Sequence, residues 1–177
     1  MARKTMTLIT ISIIIAAVIF TIYNVAALAA FNVPKSLSMT YYLWQEDNSK
    51  LKFAFPLMMY LVVALMMPAW ITLSEGFAFQ FLAFLAPAAI LFVGTAPAFM
   101  SSSLENAVHQ VSAYLAAALS ILWIILVTPY WWVILMWLGL VILMSIFTSS
   151  YKSSYIYWLE LAAFGSTFTS TIAHSLV

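Results

Sequence analysis

Residues 6–31, MTLITISIIIAAVIFTIYNVAALAAF, decide the fold. No charged side chain interrupts them. As a helix rising 1.5 Å per residue they would extend about 39 Å, more than the hydrocarbon core of a bilayer. A helix at the surface of a soluble domain needs a polar face, and this run has none broad enough. Arg3 and Lys4 precede it, and Ala27, Leu28 and Ala29 near its end resemble a signal-peptide cleavage site. A signal h-region spans only about 7 to 15 residues, so the run reads as an uncleaved first transmembrane helix.

Five further apolar blocks follow, at 53–73, 77–100, 108–127, 130–147 and 155–177. The expected fold class is therefore all-α: a polytopic membrane helix bundle of six transmembrane helices, with residues 1–177 forming a single transmembrane domain. Composition agrees, since 66% of the 177 residues are apolar and 6% are charged, against roughly 25% charged in soluble domains. Mean hydropathy is +1.10. The links are short except the polar loop 32–52, which holds Lys35, Glu46, Asp47, Lys50 and Lys52. Ser74–Gly76 and Thr128–Pro129 are short enough to make tight antiparallel hairpins. No internal repeat of the kind found in inverted-repeat transporters is visible.

A net charge of +1 cannot supply the basic surface that phosphate binding needs, so no nucleic-acid partner is expected. The absence of cysteine excludes disulfides, thiolate metal sites and palmitoylation. Membrane lipids are the expected partners, and the chain could equally serve in a homo-oligomer or a larger membrane complex. Aromatic residues gather at block ends: Tyr41, Tyr42 and Trp44; Tyr130, Trp131 and Trp132; Tyr151, Tyr155, Tyr157 and Trp158. They read as interfacial belts, with Trp44, Trp131, Trp132 and Trp158 at the bilayer boundaries. For orientation two signals oppose each other. Lys35, Lys50, Lys52 and Lys152 share one side, whereas Arg3 and Lys4 before the first helix favour a cytoplasmic N-terminus.

Six antiparallel crossings fix which polar residues share a membrane face. Lys35, Ser36, Ser38, Thr40, Glu105, His109 and Glu160 fall on the loop side, while Glu75, Gln80 and His174 fall on the other. Helix four carries Glu105, His109, Ser112, Ala116 and Ser120 along one band, and helix six carries Glu160, Ala163, Thr167, Thr171 and His174 along another. Small and hydroxyl residues are what close helix packing in membranes uses, so packing alone also accounts for both bands.

Ionisable groups inside a bilayer are costly and direct attention to a site. The candidate catalytic residues are Glu105, His109 and Glu160, converging near a substrate-binding segment formed by Lys35, Ser36, Ser38 and Thr40. Glu160 needs a partner, for which Lys35 or a protonated His109 is available. The i, i+4 pair Glu105 and His109 admits three readings. It can be a helix-start pair with Ser101, Ser102 or Ser103 capping, a general base with its orienting carboxylate, or two ligands of a metal completed by Glu160. No cofactor or metal can be named from the sequence. Pro68, Pro87 and Pro97 free backbone carbonyls and predict kinks, and Gly94–Pro97 could bring backbone to the same site.

The run Pro34–Tyr42, the segment Gly94–Phe99 and the Glu105–His109 pair resemble uncharacterised small multi-pass membrane proteins of gut Bacteroidetes and their phages. That resemblance implies the bacterial inner membrane but no activity. The loop serine and membrane histidine are more distantly similar to the superfamily of alkaline ceramidases and progestin/adiponectin receptors. This chain has only two histidines, no HxxxH in its last helix and no intramembrane Asp, so that superfamily's three-histidine zinc site cannot be built. The expected function is a small membrane scaffold or interaction subunit. The alternatives are a membrane-embedded hydrolase of a lipid-like substrate and a proton-coupled small-molecule transporter, so whether the chain is an enzyme stays open.

Overall fold

The computed structural model describes residues 2–46 and 50–177, with side chains from residue 6 onward. Asp47 and the side chains of Arg3 and Lys4 lie outside the described residues. Among the described residues the chain is helical throughout, with no strand. Seven α-helices run in the order α1 (Ala2–Phe31), α2 (Thr40–Glu46), α3 (Ala54–Leu73), α4 (Leu82–Thr95), α5 (Ser103–Val127), α6 (Trp132–Phe147) and α7 (Tyr155–Ser175). A 3₁₀ turn, Lys50–Phe53, leads into α3.

Three segments are long and apolar enough to cross a membrane: Met6–Phe31, Lys50–Leu73 and Ser103–Val127. The sequence reading expected six. It differs for two physical reasons. The 77–100 and 130–147 blocks yield helices of only 14 and 16 residues, because turns take up their ends. The 155–177 block is long enough, but its hydroxyl residues keep it below the hydropathy of a lone membrane span. The expected irregular loop 32–52 also contains a helix, α2, which a seven-residue stretch of mixed aromatic and polar residues did not announce.

Local chemistry explains where the helices stop. Asn32 and Ser149 adopt positive φ (58° and 54°) just after α1 and α6, the left-handed turn that ends many helices. Ser102 caps α5, its hydroxyl accepting from the Glu105 N–H at 3.2 Å. Ala96 ends α4 because the following Pro97 disfavours helical backbone there. Pro68 and Pro87 lie inside α3 and α4, which continue through them.

α7 stands at the centre. It packs against α1, α3, α5 and α6, while α3 joins α1 to α4 and α4 joins α5. Its buried residues, Tyr157, Trp158, Ala162, Gly165, Ser166, Thr167, Phe168, Ser170, Thr171 and Ser175, cover more than the single band expected from the sequence. A helix enclosed by four neighbours has little outer surface left. On α5 the buried set includes His109, Ser112, Ala116 and Ser120, the band read from the sequence. α6 touches the rest mainly through α7, and Gly165 makes this possible. A Cβ there would lie 2.5 Å from the Trp137 ring.

Candidate functional site

The link 32–39 lies along the first turns of α7. The Glu160 carboxylate accepts from the Leu37 N–H at 2.7 Å, the Tyr157 N–H donates to the Lys35 carbonyl at 3.2 Å, and the Ser154 hydroxyl donates to the Val33 carbonyl at 3.1 Å. A helix leaves its first N–H groups unpaired, and Lys35 satisfies one of them. Behind this seam the Tyr157 hydroxyl donates to Asn24 Oδ1 at 3.1 Å, and the Asn24 amide donates to the Phe20 carbonyl at 2.8 Å. Tyr23 and Thr40 share a hydroxyl–hydroxyl hydrogen bond, and the Thr40 hydroxyl also reaches the Leu37 carbonyl at 2.5 Å. Ser36 holds the intervening turn, its hydroxyl accepting from the Met39 N–H at 3.1 Å and lying 3.1 Å from that of Ser38. Lys35 points outward and is exposed.

His109 occupies a second place on α5. Its Nδ1 is 3.0 Å from the Ala96 carbonyl oxygen. A carbonyl can only accept, so Nδ1 carries the proton. The ring stacks on Phe99 with centroids 4.6 Å apart, and Phe99 meets Tyr42 edge-on at 5.3 Å. The Met100 N–H donates to the Tyr42 hydroxyl at 2.6 Å, which ties α2 to the α4–α5 link. Burial raises the Tyr42 phenol above its ordinary pKa.

Glu105 serves the helix start. Besides its capped N–H, its carboxylate accepts from the Ser101 hydroxyl at 2.8 Å. Of the three readings of the Glu105–His109 pair, this is the capping one, although the two side chains bond to different partners. The structure therefore brings Glu160 together with the Leu37 backbone, but Glu160 shares no hydrogen bond with Glu105 or His109. Among the described residues no group of three or more His, Asp or Glu is placed to hold a metal, so the ligand set completed by Glu160 does not form. Hydrogen bonds thus run in two polar seams, Glu160 of α7 to Leu37 and His109 of α5 to Ala96, with residues 37–42 touching both.

Sequence reasoning missed the tryptophans inside the bundle. Trp70 of α3 and Trp123 of α5 stack with centroids 4.5 Å apart and planes 7° apart. The Trp70 indole donates to the Thr171 hydroxyl at 3.0 Å and the Trp123 indole to the Ser74 hydroxyl at 2.7 Å. The Trp137 indole donates to Thr169 at 3.0 Å. The signal available was that all three lie within apolar blocks, with hydroxyl residues in the last block to accept from an indole. Among the tryptophans expected at boundaries, Trp131 and Trp132 are exposed, whereas Trp158 is buried and donates to the Ser150 hydroxyl at 2.8 Å. Trp44 packs edge-on against Phe31.

A narrow apolar crevice, with room for about 10 Å³, lies between α3, α4 and α7, lined by residues including Met66, Trp70, Pro87 and Phe168. It touches neither Glu160 nor His109. No family model, curated protein or solved structure matches this chain.

Proposed function

We propose that the chain is a multi-pass membrane scaffold or interaction subunit of the bacterial inner membrane, crossing the bilayer six times through α1, α3, α4, α5, α6 and α7. The observation that carries this reading is the destination of its buried polar groups. Glu160 and His109, the residues most suggestive of chemistry, are hydrogen-bonded to backbone groups of the links 32–39 and 96–102. That is the work of a seam between elements. A general base needs a free nitrogen facing a substrate and an orienting partner. His109 makes its orienting bond from Nδ1 to the Ala96 carbonyl and stacks on Phe99, while the Glu105 carboxylate, which the hydrolase reading needs as its orienting group, turns to Ser101.

Six crossings are supported by the enclosure of α7, whose hydroxyls face protein and so need no apolar coat. The links 32–39, 96–102 and 148–154 also meet at one end of the bundle, as an odd-even alternation requires.

A proton-coupled carrier is the second reading. It is favoured by the Ser170 hydroxyl, which is buried on α7 without a hydrogen-bond partner among the described residues. Proteoliposomes loaded with a pH-sensitive dye separate the two. The scaffold reading expects no flux above empty vesicles and no lipid turnover. Flux driven by a pH gradient and abolished by Glu160→Gln would replace it with the carrier.

A further inference from the structure

Three outward helix faces of this bundle can be compared. α1 presents Leu8, Ile11, Ile15, Val18, Ile22 and Val25, and α6 presents Leu135, Met136, Leu140, Leu143 and Phe147. Lipid tails suit both. The outward face of α5 is different, because it carries Gln110 and Tyr114, one turn apart and both exposed. Tyr114 is 76% exposed and stands next to the middle of the 25-residue helix. In a crossing helix that position is about 15 Å from either headgroup layer, too far for a phenol to reach. Neither side chain has a hydrogen-bond partner among the described residues. Tyr60 of α3 is also exposed and without a hydrogen-bond partner among the described residues, but its ring lies against Gly94 of α4 and no exposed amide stands a turn away from it. Exposed Thr21 on α1 donates to its own helix at Ala17.

We propose that this face of α5 binds a second copy of the chain, in a parallel pair about a twofold axis along the membrane normal. The proposal rests on the α5 crossing in the interaction-subunit reading above. Hydrocarbon offers the Tyr114 hydroxyl no partner, and amide and hydroxyl side chains on outward faces hold membrane helices together. A copy of the same chain offers the right one. In a parallel twofold pair, identical residues meet at the same depth. A glutamine amide has both donor and acceptor, so two Gln110 side chains are complementary to each other. Helical side chains lean toward the N-terminus, which carries the Tyr114 hydroxyl back toward the level of Gln110 on the facing helix. Ala107 and Ala118 are exposed on the same band above and below Tyr114, and their small size lets two helices approach closely.

Because the chain contains no cysteine, single substitutions report cleanly. Full-length Ala107→Cys, Ala118→Cys and, as a control on α6, Leu140→Cys would be reconstituted separately in phosphatidylcholine vesicles and oxidised. A disulfide forms only where the two Cα atoms come within about 7 Å. The expected result is dimer from the α5 positions and only collisional background from Leu140→Cys. In a second measurement, energy transfer between labelled copies at varied protein-to-lipid ratio should show a dissociation constant at least tenfold weaker for Gln110→Leu combined with Tyr114→Phe. Equal cross-linking on α5 and α6, or a dissociation constant unmoved by the double variant, would overturn the pair. A monomer without transport activity sinks the pair and leaves the scaffold reading standing. A cross-linked dimer that moves protons does the reverse.

Discussion

Glu160 accepts a hydrogen bond from a backbone N–H, and this decides which substitution matters. Glutamine keeps a carbonyl oxygen at the same place, whereas leucine leaves the Leu37 N–H unpaired in a half-buried setting. Removing one partner of such a bond costs about 1–3 kcal/mol. Glu160→Leu is therefore expected to lower the unfolding free energy in detergent by about that amount, with Glu160→Gln close to wild type. Equal loss from both would show that charge, and not acceptance, is what Glu160 supplies. Gly165 gives a second residue-level test. A methyl there overlaps the Trp137 ring, so Gly165→Ala should destabilise by about 1–3 kcal/mol and alter tryptophan emission. Gly139→Ala, with nothing within 4 Å of the added carbon, should do neither. The sequence pointed to Glu160 as a group needing a partner, but the search was among side chains. Its partner is a main-chain group of a residue 123 positions away, which no side-chain pattern encodes.

At the scale of elements, α3, α5 and α7 are joined by the Trp70–Trp123 stack and its two hydroxyl acceptors. Stacked aromatic pairs contribute about 0.5–1.5 kcal/mol beyond the area they bury. A double-mutant cycle of Trp70→Phe and Trp123→Phe should recover a coupling in that range, and the near-ultraviolet circular dichroism of the pair should vanish with either substitution. Additive effects would mean that the rings are neighbours without mutual stabilisation. Helix positions were largely readable from the sequence, because long apolar runs without charge admit little else. Lengths were less so: the 77–100 block shrank to α4 since Phe77–Phe81 form turns, and aromatic residues are apolar in a turn as in a helix. The hydroxyl band on α7 was visible too. What it touches was not, since a periodicity gives a direction without naming the neighbour.

For the whole molecule, the odd-even alternation of the six proposed crossings yields a labelling pattern. Lys35→Cys and Lys152→Cys should react with a membrane-impermeant maleimide from one side of sealed vesicles, and Glu75→Cys from the other; all three positions are exposed. Labelling of Lys35→Cys and Lys152→Cys from opposite sides would remove one crossing among α3, α4, α5 and α6. The sequence assigned Lys35–Thr40, His109 and Glu160 to one face of the membrane, and the structure gathers their links at one end of the bundle. The sequence did not show which partners Glu105, His109 and Glu160 take: each is hydrogen-bonded to a different group, the Ser101 hydroxyl, the Ala96 carbonyl and the Leu37 N–H.

The central position of α7 also bears on how the protein is made. A ribosome delivers α1 and α3 before α7, yet the groups that these helices bury, the Trp70 indole and the amide of Asn24, find their acceptors and donors on α7. During synthesis the early helices must hold an unfilled slot, screened by lipid or by the insertion machinery. α7, with serines and threonines on most of its circumference, gains little by entering lipid alone. On the six-crossing reading its entry into the bilayer is a docking event, and a chain stopped before residue 155 should be a substrate for membrane quality-control proteases.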